Sequence, residues 1–199
     1  MFHKTLNIQF IRTHNQALDL LDNGDHVLIC DFHDDRQAVA IEAAKAGIPF
    51  VANEANWVSK GECTGKLGQW VLLHPEWQVE TIEDAYIQGP RPLRTVSRNF
   101  KVPEGPIVLS ICADYFLHKG TTCFDYDGSE KFLGQRLHAP RETLLEEARA
   151  LFRALKSEGI VIKSAHMADS PNYVPEDKIP ILHRVVQEAW ELEGLGMRK

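Results

Sequence analysis

The polar and apolar residues of the chain follow two periodicities, one typical of β-strands and the other of amphipathic helices. Alternating or compact apolar runs predict strands at residues 6–13, 26–32, 49–52, 69–73, 107–112 and 160–164. Apolar residues at three- and four-residue spacing predict helices at 15–22, 36–46, 141–157 and 181–192, and a helical turn at 56–61. Because strands and helices alternate, the pattern predicts an α/β sandwich with a mainly parallel sheet. The proline-dotted, basic segment 78–106 is interpreted as an excursion or hairpin.

Length and composition narrow the class of protein. The 199 residues favour one domain spanning 1–199. With 22 Lys and Arg against 28 Asp and Glu, the net charge is −6, and the chain has no basic stripe, so we expect no nucleic-acid partner. No apolar run approaches the ~18 residues of a membrane helix, and the N-terminus lacks the apolar region of a secretory signal. The four cysteines form no CxxC pair, which favours reduced thiols and a cytoplasmic protein.

The densest polar cluster in the sequence directly follows the apolar stretch VLIC. In extended backbone Asp31, His33 and Asp35 share one face, because successive side chains point to opposite sides. Two carboxylates and one imidazole form half of a divalent-metal site, and this mixture of ligands suits Mn²⁺, Fe²⁺ or Zn²⁺. The alternative is a solvated acidic turn that caps the helix beginning near Arg36.

A second polar cluster stands at the end of the predicted strand 107–112. By the same alternation Ser110, Cys112 and Asp114 share a face. The carboxyl ends of parallel strands meet at one edge of the sheet, where ligands bind in open α/β folds. We therefore expect Asp114 to converge with the first cluster, although a carboxylate directly after a strand can also be a simple loop cap.

These two clusters resemble the metal motifs of the arginase–deacetylase superfamily, Asp-x-His-x-Asp and Ser-x-(Asp)-x-Asp. The resemblance is closest to a small arginase-like family within that superfamily. Short stretches from about residue 11 to residue 175 match the pattern of that family in order. They are His14-Asn15, Asn56-Trp57, residues 69–77, residues 114–116 and residues 168–175.

The resemblance implies a three-layer α/β/α sandwich with a metal at the C-terminal edge of its sheet. Arginases hold two Mn²⁺ ions, whereas the deacetylases hold one Zn²⁺ or Fe²⁺. Matched by position, the implied metal ligands are Asp31, His33, Asp35 and Asp114. His14 is a possible counterpart of the ligating histidine that precedes the first motif, and the alternative for His14 is a surface histidine at the start of a helix.

One position departs from the family pattern. The aspartate that bridges the two metals in arginase is replaced by Cys112. Losing a bridging carboxylate favours one metal, or an empty site, over two. The thiol of Cys112 is interpreted as a small apolar core residue, with a thiolate ligand to a softer metal as the alternative.

Two further histidines are candidates for proton transfer. His166 is expected to follow the strand at 160–164 and so to reach the functional edge, and His74 follows the strand at 69–73. For each of them the alternative is a histidine packed beneath a loop. A serine nucleophile at Ser170 is disfavoured because no GxSxG elbow surrounds it.

The sequence thus predicts a metal-dependent hydrolase that cleaves a C–N bond in an amide or guanidino group of a small molecule. Its cofactor would be a single divalent ion, Mn²⁺, Zn²⁺ or Fe²⁺, which activates a water molecule. The alternative is a degenerate member of the fold that binds a ligand or regulates a partner without catalysis. No sequence feature indicates an oligomeric state.

Overall fold

The computed structural model describes residues 6–33, 35, 42, 43, 45–75, 105–124, 130–133 and 135–195. The predicted excursion at 78–106 falls outside these residues except at positions 105 and 106. Of the predicted helix 36–46, residues 42, 43 and 45 are helical, and the positions before 42 lie outside the described part of the chain. Every structural statement below concerns the described residues.

A five-stranded, all-parallel sheet forms the centre of the fold. Its strands in chain order are β1 (Ile8–Ile11), β2 (Asp25–Cys30), β3 (Leu67–Leu73), β4 (Ile107–Cys112) and β7 (Ile162–Ala168). Their spatial order is β1, β7, β4, β2, β3. A separate antiparallel pair consists of β5 (Thr121–Phe124) and β6 (Glu130–Leu133). The sheet confirms the predicted α/β class with mainly parallel strands.

Helices cover both faces of this sheet. They are α1 (Ala17–Leu20), α2 (Trp57–Thr64), α3 (Arg141–Ser157) and α4 (Ile179–Leu192). On β4, Ile107, Leu109 and Ile111 pack in one apolar cluster with α3 and α4. Val108 faces the other way and packs with α1 and α2. The architecture is therefore the expected three-layer α/β/α sandwich. No helix in the described ranges combines the length and the apolar character needed to cross a membrane.

Helix α3 has the bounds predicted from the sequence. Its buried face repeats at three- and four-residue intervals, from Leu144 to Leu155. The turn after the helix contains Gly159, whose φ of +69° is a left-handed conformation that favours glycine. Phe152 packs edge-to-face on Trp190 of α4 with the ring centroids 5.3 Å apart, which joins the two helices over the sheet.

The strand predicted at residues 49–52 is wrong. No strand covers residues 48–53, and Val51 is 85% exposed. The local apolar composition had suggested a strand, but this segment pairs with no strand of the described sheet. Instead it leads into α2, where the Asn56 side chain accepts a hydrogen bond from the Asn53 backbone N–H and donates one to the Val51 carbonyl. The predicted turn at 56–61 becomes the two-turn helix α2.

The strand predicted at 160–164 is displaced along the chain. β7 spans Ile162–Ala168, so His166 lies within the strand and not after it. The polar residues Ser164 and His166 interrupt the apolar pattern and conceal the second half of the strand. A buried histidine is tolerated there because its ring is hydrogen bonded to Ser110, its direct neighbour in the register of β4 and β7.

Candidate metal centre

A pocket of about 170 Å³ lies beyond the carboxyl ends of β2 and β4. Asp31 comes one residue after β2, and Asp114 comes two residues after β4. Because the two strands are adjacent and parallel, both carboxylates reach the same edge of the sheet. The residues lining the pocket are His14, Asp31, His33, Asp35, Glu54, Cys112, Asp114, Ser170 and Tyr173.

Three groups of side chains in and around this pocket could hold a metal ion. In each group the candidate ligand atoms all lie within 4.8 Å of one another. The groups are His14, Asp31 and Cys112; His33, Asp114 and His118; and Asp31, His33 and Asp35. The structure therefore brings together all five residues predicted as metal ligands.

The first acidic motif converges by a tight turn and not by strand alternation. β2 ends at Cys30, and Asp35 has a φ of +48°, a left-handed conformation that is uncommon for residues other than glycine. Within the turn, the His33 backbone N–H donates a hydrogen bond of 2.7 Å to Asp31 Oδ1. Asp31 is 1% exposed and Asp35 is 8% exposed, so these two carboxylates are not solvated. The helix start near Arg36, which the alternative has this turn cap, lies outside the described residues.

His14 lies inside the pocket and not at the surface. Its Nδ1 atom is 2.7 Å from Asp31 Oδ2 and 3.3 Å from Asp35 Oδ2. Despite the short distance, neither His14 Nδ1 nor Asp31 Oδ2 makes a hydrogen bond with a described residue. Buried polar atoms are rarely left without a partner, and a buried imidazole nitrogen and carboxylate oxygen that lack one can both bind a cation once the imidazole has lost its proton. The donor set of this pair therefore fits a divalent metal.

Three aspartates, Asp31, Asp35 and Asp114, crowd around His14 and His33 in the pocket. Burial raises the pKa of Asp31 well above its usual value, and the nearby Asp114 and Asp35 carboxylates add to this effect. Burial alone lowers the pKa of His14, but Asp31 and Asp35 outweigh burial and raise it to about 10. Three carboxylates crowded around two histidines favour the uptake of a cation.

The second group is already hydrogen bonded internally. His33 Nδ1 lies 3.0 Å from Asp114 Oδ2, and this bond raises the pKa of His33 to about 9 although burial opposes it. Burial also opposes the ionised form of Asp114, but His33 holds the pKa of that carboxyl well below its usual range. His118 Nδ1 accepts a 2.8 Å hydrogen bond from the Gly120 N–H. This group is therefore less suited to a metal than the group containing His14.

Ser110 connects His14 to His166 behind the pocket. Its Oγ atom lies 2.7 Å from the Nε2 atom of each ring. Burial lowers the pKa of His166 to about 3, so this ring is neutral at physiological pH. His14 Nε2–H can then donate to Ser110, whose hydroxyl donates to His166. This chain leaves His14 Nδ1 directed towards Asp31.

Neither histidine predicted to transfer protons lines the pocket. His166 is separated from it by Ser110 and His14, and His74 is a buried residue directly after β3. The sequence prediction gave His118, Ser170 and Tyr173 no role in the site. A signal existed for the last two, because both lie in the stretch 168–175 that carries the family resemblance. For His118 the signal was its position four residues after Asp114.

Ser110→Ala is expected to lower the free energy of unfolding by about 2 kcal/mol, because two buried imidazoles lose their common hydrogen-bond partner. Urea denaturation of the metal-free protein measures the change. Ser59→Ala is the matched control, since Ser59 is equally buried but its hydroxyl makes no hydrogen bond with a described residue. Equal effects of the two substitutions would contradict the connecting role of Ser110.

Trp57 supports Asp35 from α2. The indole Nε1–H donates a hydrogen bond to Asp35 Oδ2. The indole ring also packs against the His14 ring, with the two ring centroids 4.7 Å apart. Trp57→Phe keeps an aromatic ring but removes the donor, so we expect metal affinity to fall roughly 10–100-fold. Trp70→Phe is the control, because Trp70 donates to Glu62 outside the pocket. Isothermal titration with Zn²⁺ or Mn²⁺ measures both variants, and an unchanged Kd for Trp57→Phe would contradict the prediction.

The remaining wall of the pocket combines Cys112, Ser170 and Tyr173. Cys112 Sγ lies 2.6 Å from Ser170 Oγ, and Ser170 has a φ of +49°. The Tyr173 ring packs 4.4 Å from the His33 ring. Burial raises the pKa of Tyr173 to about 12, so its hydroxyl stays protonated and can donate a hydrogen bond into the pocket.

No protein-family model matches the chain, and no curated protein matches it either.

Proposed function

We propose that this protein is a metal-dependent hydrolase of the arginase–deacetylase type, acting on a C–N bond in an amide or guanidino group. The observation that carries the proposal is the buried pair of His14 Nδ1 and Asp31 Oδ2, 2.7 Å apart and without a hydrogen bond, in a pocket rich in carboxylates. The resemblance of both acidic motifs to that superfamily supports the type of reaction.

We infer a single divalent cation, Mn²⁺, Zn²⁺ or Fe²⁺. A bound cation supplies a water molecule activated at a pKa near ~7 and a Lewis acid for the group under attack. Asp31 and His14 supply its central ligands, with Asp35, His33 and Asp114 around them. One ion is favoured over two because His33 and Asp114 are already bonded to each other.

The other residues of the pocket are assigned to the substrate. Tyr173 donates its hydroxyl proton in a hydrogen bond to the charge that develops on the reacting group. Glu54 accepts a hydrogen bond from Asn172 at Oε2, which leaves Oε1 to take up a proton and return it to the leaving nitrogen. His166 acts as a positioning residue for His14 through Ser110, and His74, which is not among the residues lining the pocket, is assigned no step.

The size of the pocket limits the substrate. Sites for drug-sized ligands measure about 300–1,000 Å³, whereas this pocket measures about 170 Å³ even when the space open to solvent is counted. Its enclosed part holds little more than a cation, so we propose that the substrate meets the cation through a narrow terminal group, such as an amide or guanidino group. We further propose the cytoplasm as its compartment, because Cys30, Cys63 and Cys112 are free thiols.

The proposal is tested by loading and turnover together. Elemental analysis after incubation with Mn²⁺, Zn²⁺ or Fe²⁺ is expected to show about one equivalent of metal. The loaded protein is then assayed for release of amine, ammonia or urea from a panel of N-acyl and guanidino compounds. Asp31→Ala is expected to abolish both metal retention and turnover.

Asp169→Ala is the matched control for that experiment. Asp169 also pairs with a histidine, His183, at 2.6 Å, but neither residue lines the pocket. Its substitution is expected to leave metal loading unchanged. If the unmodified protein binds none of the three metals, the proposed function is wrong.

A second candidate function follows from Cys112, which stands in the pocket where the family pattern has a carboxylate. The protein would then be a catalytically inactive binding module. Stoichiometric metal or ligand binding without turnover of any compound in the panel would favour this candidate over the hydrolase.

A further inference from the structure

We propose that Cys112 is itself a metal ligand, binding as a thiolate beside His14 and Asp31, so that the centre selects a borderline-soft cation such as Zn²⁺ over Mn²⁺. This inference rests on the proposed metal site and specifies which ion that site takes. It replaces the interpretation of Cys112 as a small apolar residue of the core.

Geometry places the thiol among the unsatisfied atoms of the pocket. The candidate ligand atoms of His14, Asp31 and Cys112 lie within 4.8 Å of one another. All three residues are at most 2% exposed. Within this group, His14 Nδ1 and Asp31 Oδ2 make no hydrogen bond with any described residue, so two buried polar atoms are left without a hydrogen-bond partner close to the thiol.

The sheet register explains why Cys112 points there. Along β4, Ile107, Leu109 and Ile111 pack towards α3 and α4. The alternate residues Ser110 and Cys112 therefore face the other layer, where Ser110 meets His14. β2 and β4 are paired through Cys30 and Ile111, and the residues that follow these two in the chain are Asp31 and Cys112. The two candidate ligands thus stand at the same level of adjacent strands.

Ser170 also contacts the sulfur of Cys112. Its Oγ is 2.6 Å from Cys112 Sγ, held there by a backbone with positive φ that serine rarely adopts. When the thiol loses its proton, the Ser170 hydroxyl can donate to the thiolate. Such partners orient metal ligands and are typical of metal centres.

Ligand chemistry then determines the choice of ion. One thiolate, one imidazole and one carboxylate form a three-ligand set that suits tetrahedral Zn²⁺, with the fourth position left for water or substrate. Mn²⁺ prefers oxygen ligands in octahedral geometry. On binding, a bond forms between the metal and Cys112 Sγ, the S–H bond breaks, and its proton passes to solvent.

Cobalt(II) is the probe for this bond, because it occupies zinc sites and gives a sulfur-to-metal charge-transfer band in the near ultraviolet when a thiolate binds. We expect this band in the unmodified protein and its loss in Cys112→Ser. Cys30→Ser is the matched control, since Cys30 is equally buried and ends the adjacent strand but packs in the core beneath α3 and α4. The control is expected to keep the band.

Affinity gives a second readout. Loss of a direct ligand is expected to weaken Zn²⁺ binding at least as much as loss of a supporting partner, which costs about 10–100-fold. Cys112→Asp is expected to reverse the selectivity, so that Mn²⁺ competes better against Zn²⁺ than it does in the unmodified protein.

X-ray absorption of the zinc-loaded, unmodified protein needs no variant, and it should show one Zn–S distance of about 2.3 Å. Stoichiometric metal binding with no charge-transfer band and no Zn–S distance would overturn the role of Cys112 and leave the proposed function standing. Failure to bind Co²⁺, Zn²⁺ or Mn²⁺ would overturn both.

Discussion

Asp31→Asn is expected to abolish binding of a divalent metal and, in the metal-free protein, to raise the melting temperature. The Asp31 carboxylate is buried beside Asp35 and Asp114, and these surroundings raise its pKa. The ionised form is therefore costly in the folded state. An amide has the same shape, and its oxygen can still accept the hydrogen bond from the His33 N–H. The substitution relieves the charge repulsion and removes the central metal ligand.

Thermal unfolding with and without metal measures both parts of this prediction. A metal present at 100 times its Kd stabilises the unmodified protein by about 2.7 kcal/mol, and this gain should vanish in Asp31→Asn. Asp114→Asn provides the contrast. It breaks the charged hydrogen bond to His33 and should destabilise the metal-free protein by about 2 kcal/mol. Destabilisation by both variants would contradict the charge distribution inferred for the pocket.

Raising the pH is expected to destabilise the metal-free protein between about pH 6.5 and pH 10. His14 and His33 have folded pKa values of about 10 and about 9, both above the usual 6.5. In this window the folded state binds more protons than the unfolded state, so stability falls as pH rises. The contribution of these two histidines to the free energy of unfolding is complete below pH 6.5 and is lost as the pH rises through the two folded pKa values. Each group contributes a slope of up to about 1.4 kcal/mol per pH unit.

Urea denaturation from pH 6 to pH 10 in the presence of a chelator measures this loss. His14→Gln should flatten the plot of unfolding free energy against pH at the high-pH end. His183→Gln, which changes a histidine outside the pocket, should leave this plot unchanged. Metal binding should strengthen over the same range because fewer protons compete for His14. Profiles of equal slope for the unmodified protein and His14→Gln would contradict the assignment.

The regular elements were predictable where their pattern is long or strongly apolar. The bounds of α3 follow from five apolar residues repeated along one face, which few alternative structures satisfy. The strand β4 was predicted with the same bounds because residues 107–112 form a compact, mostly apolar run, and the structure buries all six of them. By contrast, the four-residue pattern at 49–52 had no strand to pair with, and pairing rather than local composition decides whether a short segment becomes a strand.

The position of the candidate site within the fold was predictable from the sequence. Parallel strands direct the residues after β2 and β4 to one edge, so Asp31 and Asp114 could be expected to meet from the sequence alone. The turn that brings Asp35 into the pocket could not be predicted from the sequence, because it depends on a positive φ at Asp35 and on a hydrogen bond from the indole of Trp57. His166 was expected at this edge and instead lies inside β7, bonded to Ser110.

The sequence by itself determined the alternation of strands and helices and the two acidic clusters at the strand ends, because these depend on neighbours within a few residues. Only the tertiary structure decided which atoms face one another. His14 and Ser110 are separated by 96 positions, and Cys112 and Ser170 by 58. Contacts over such distances depend on strand order and register, so the structure alone reveals that His14 and Cys112 converge on Asp31.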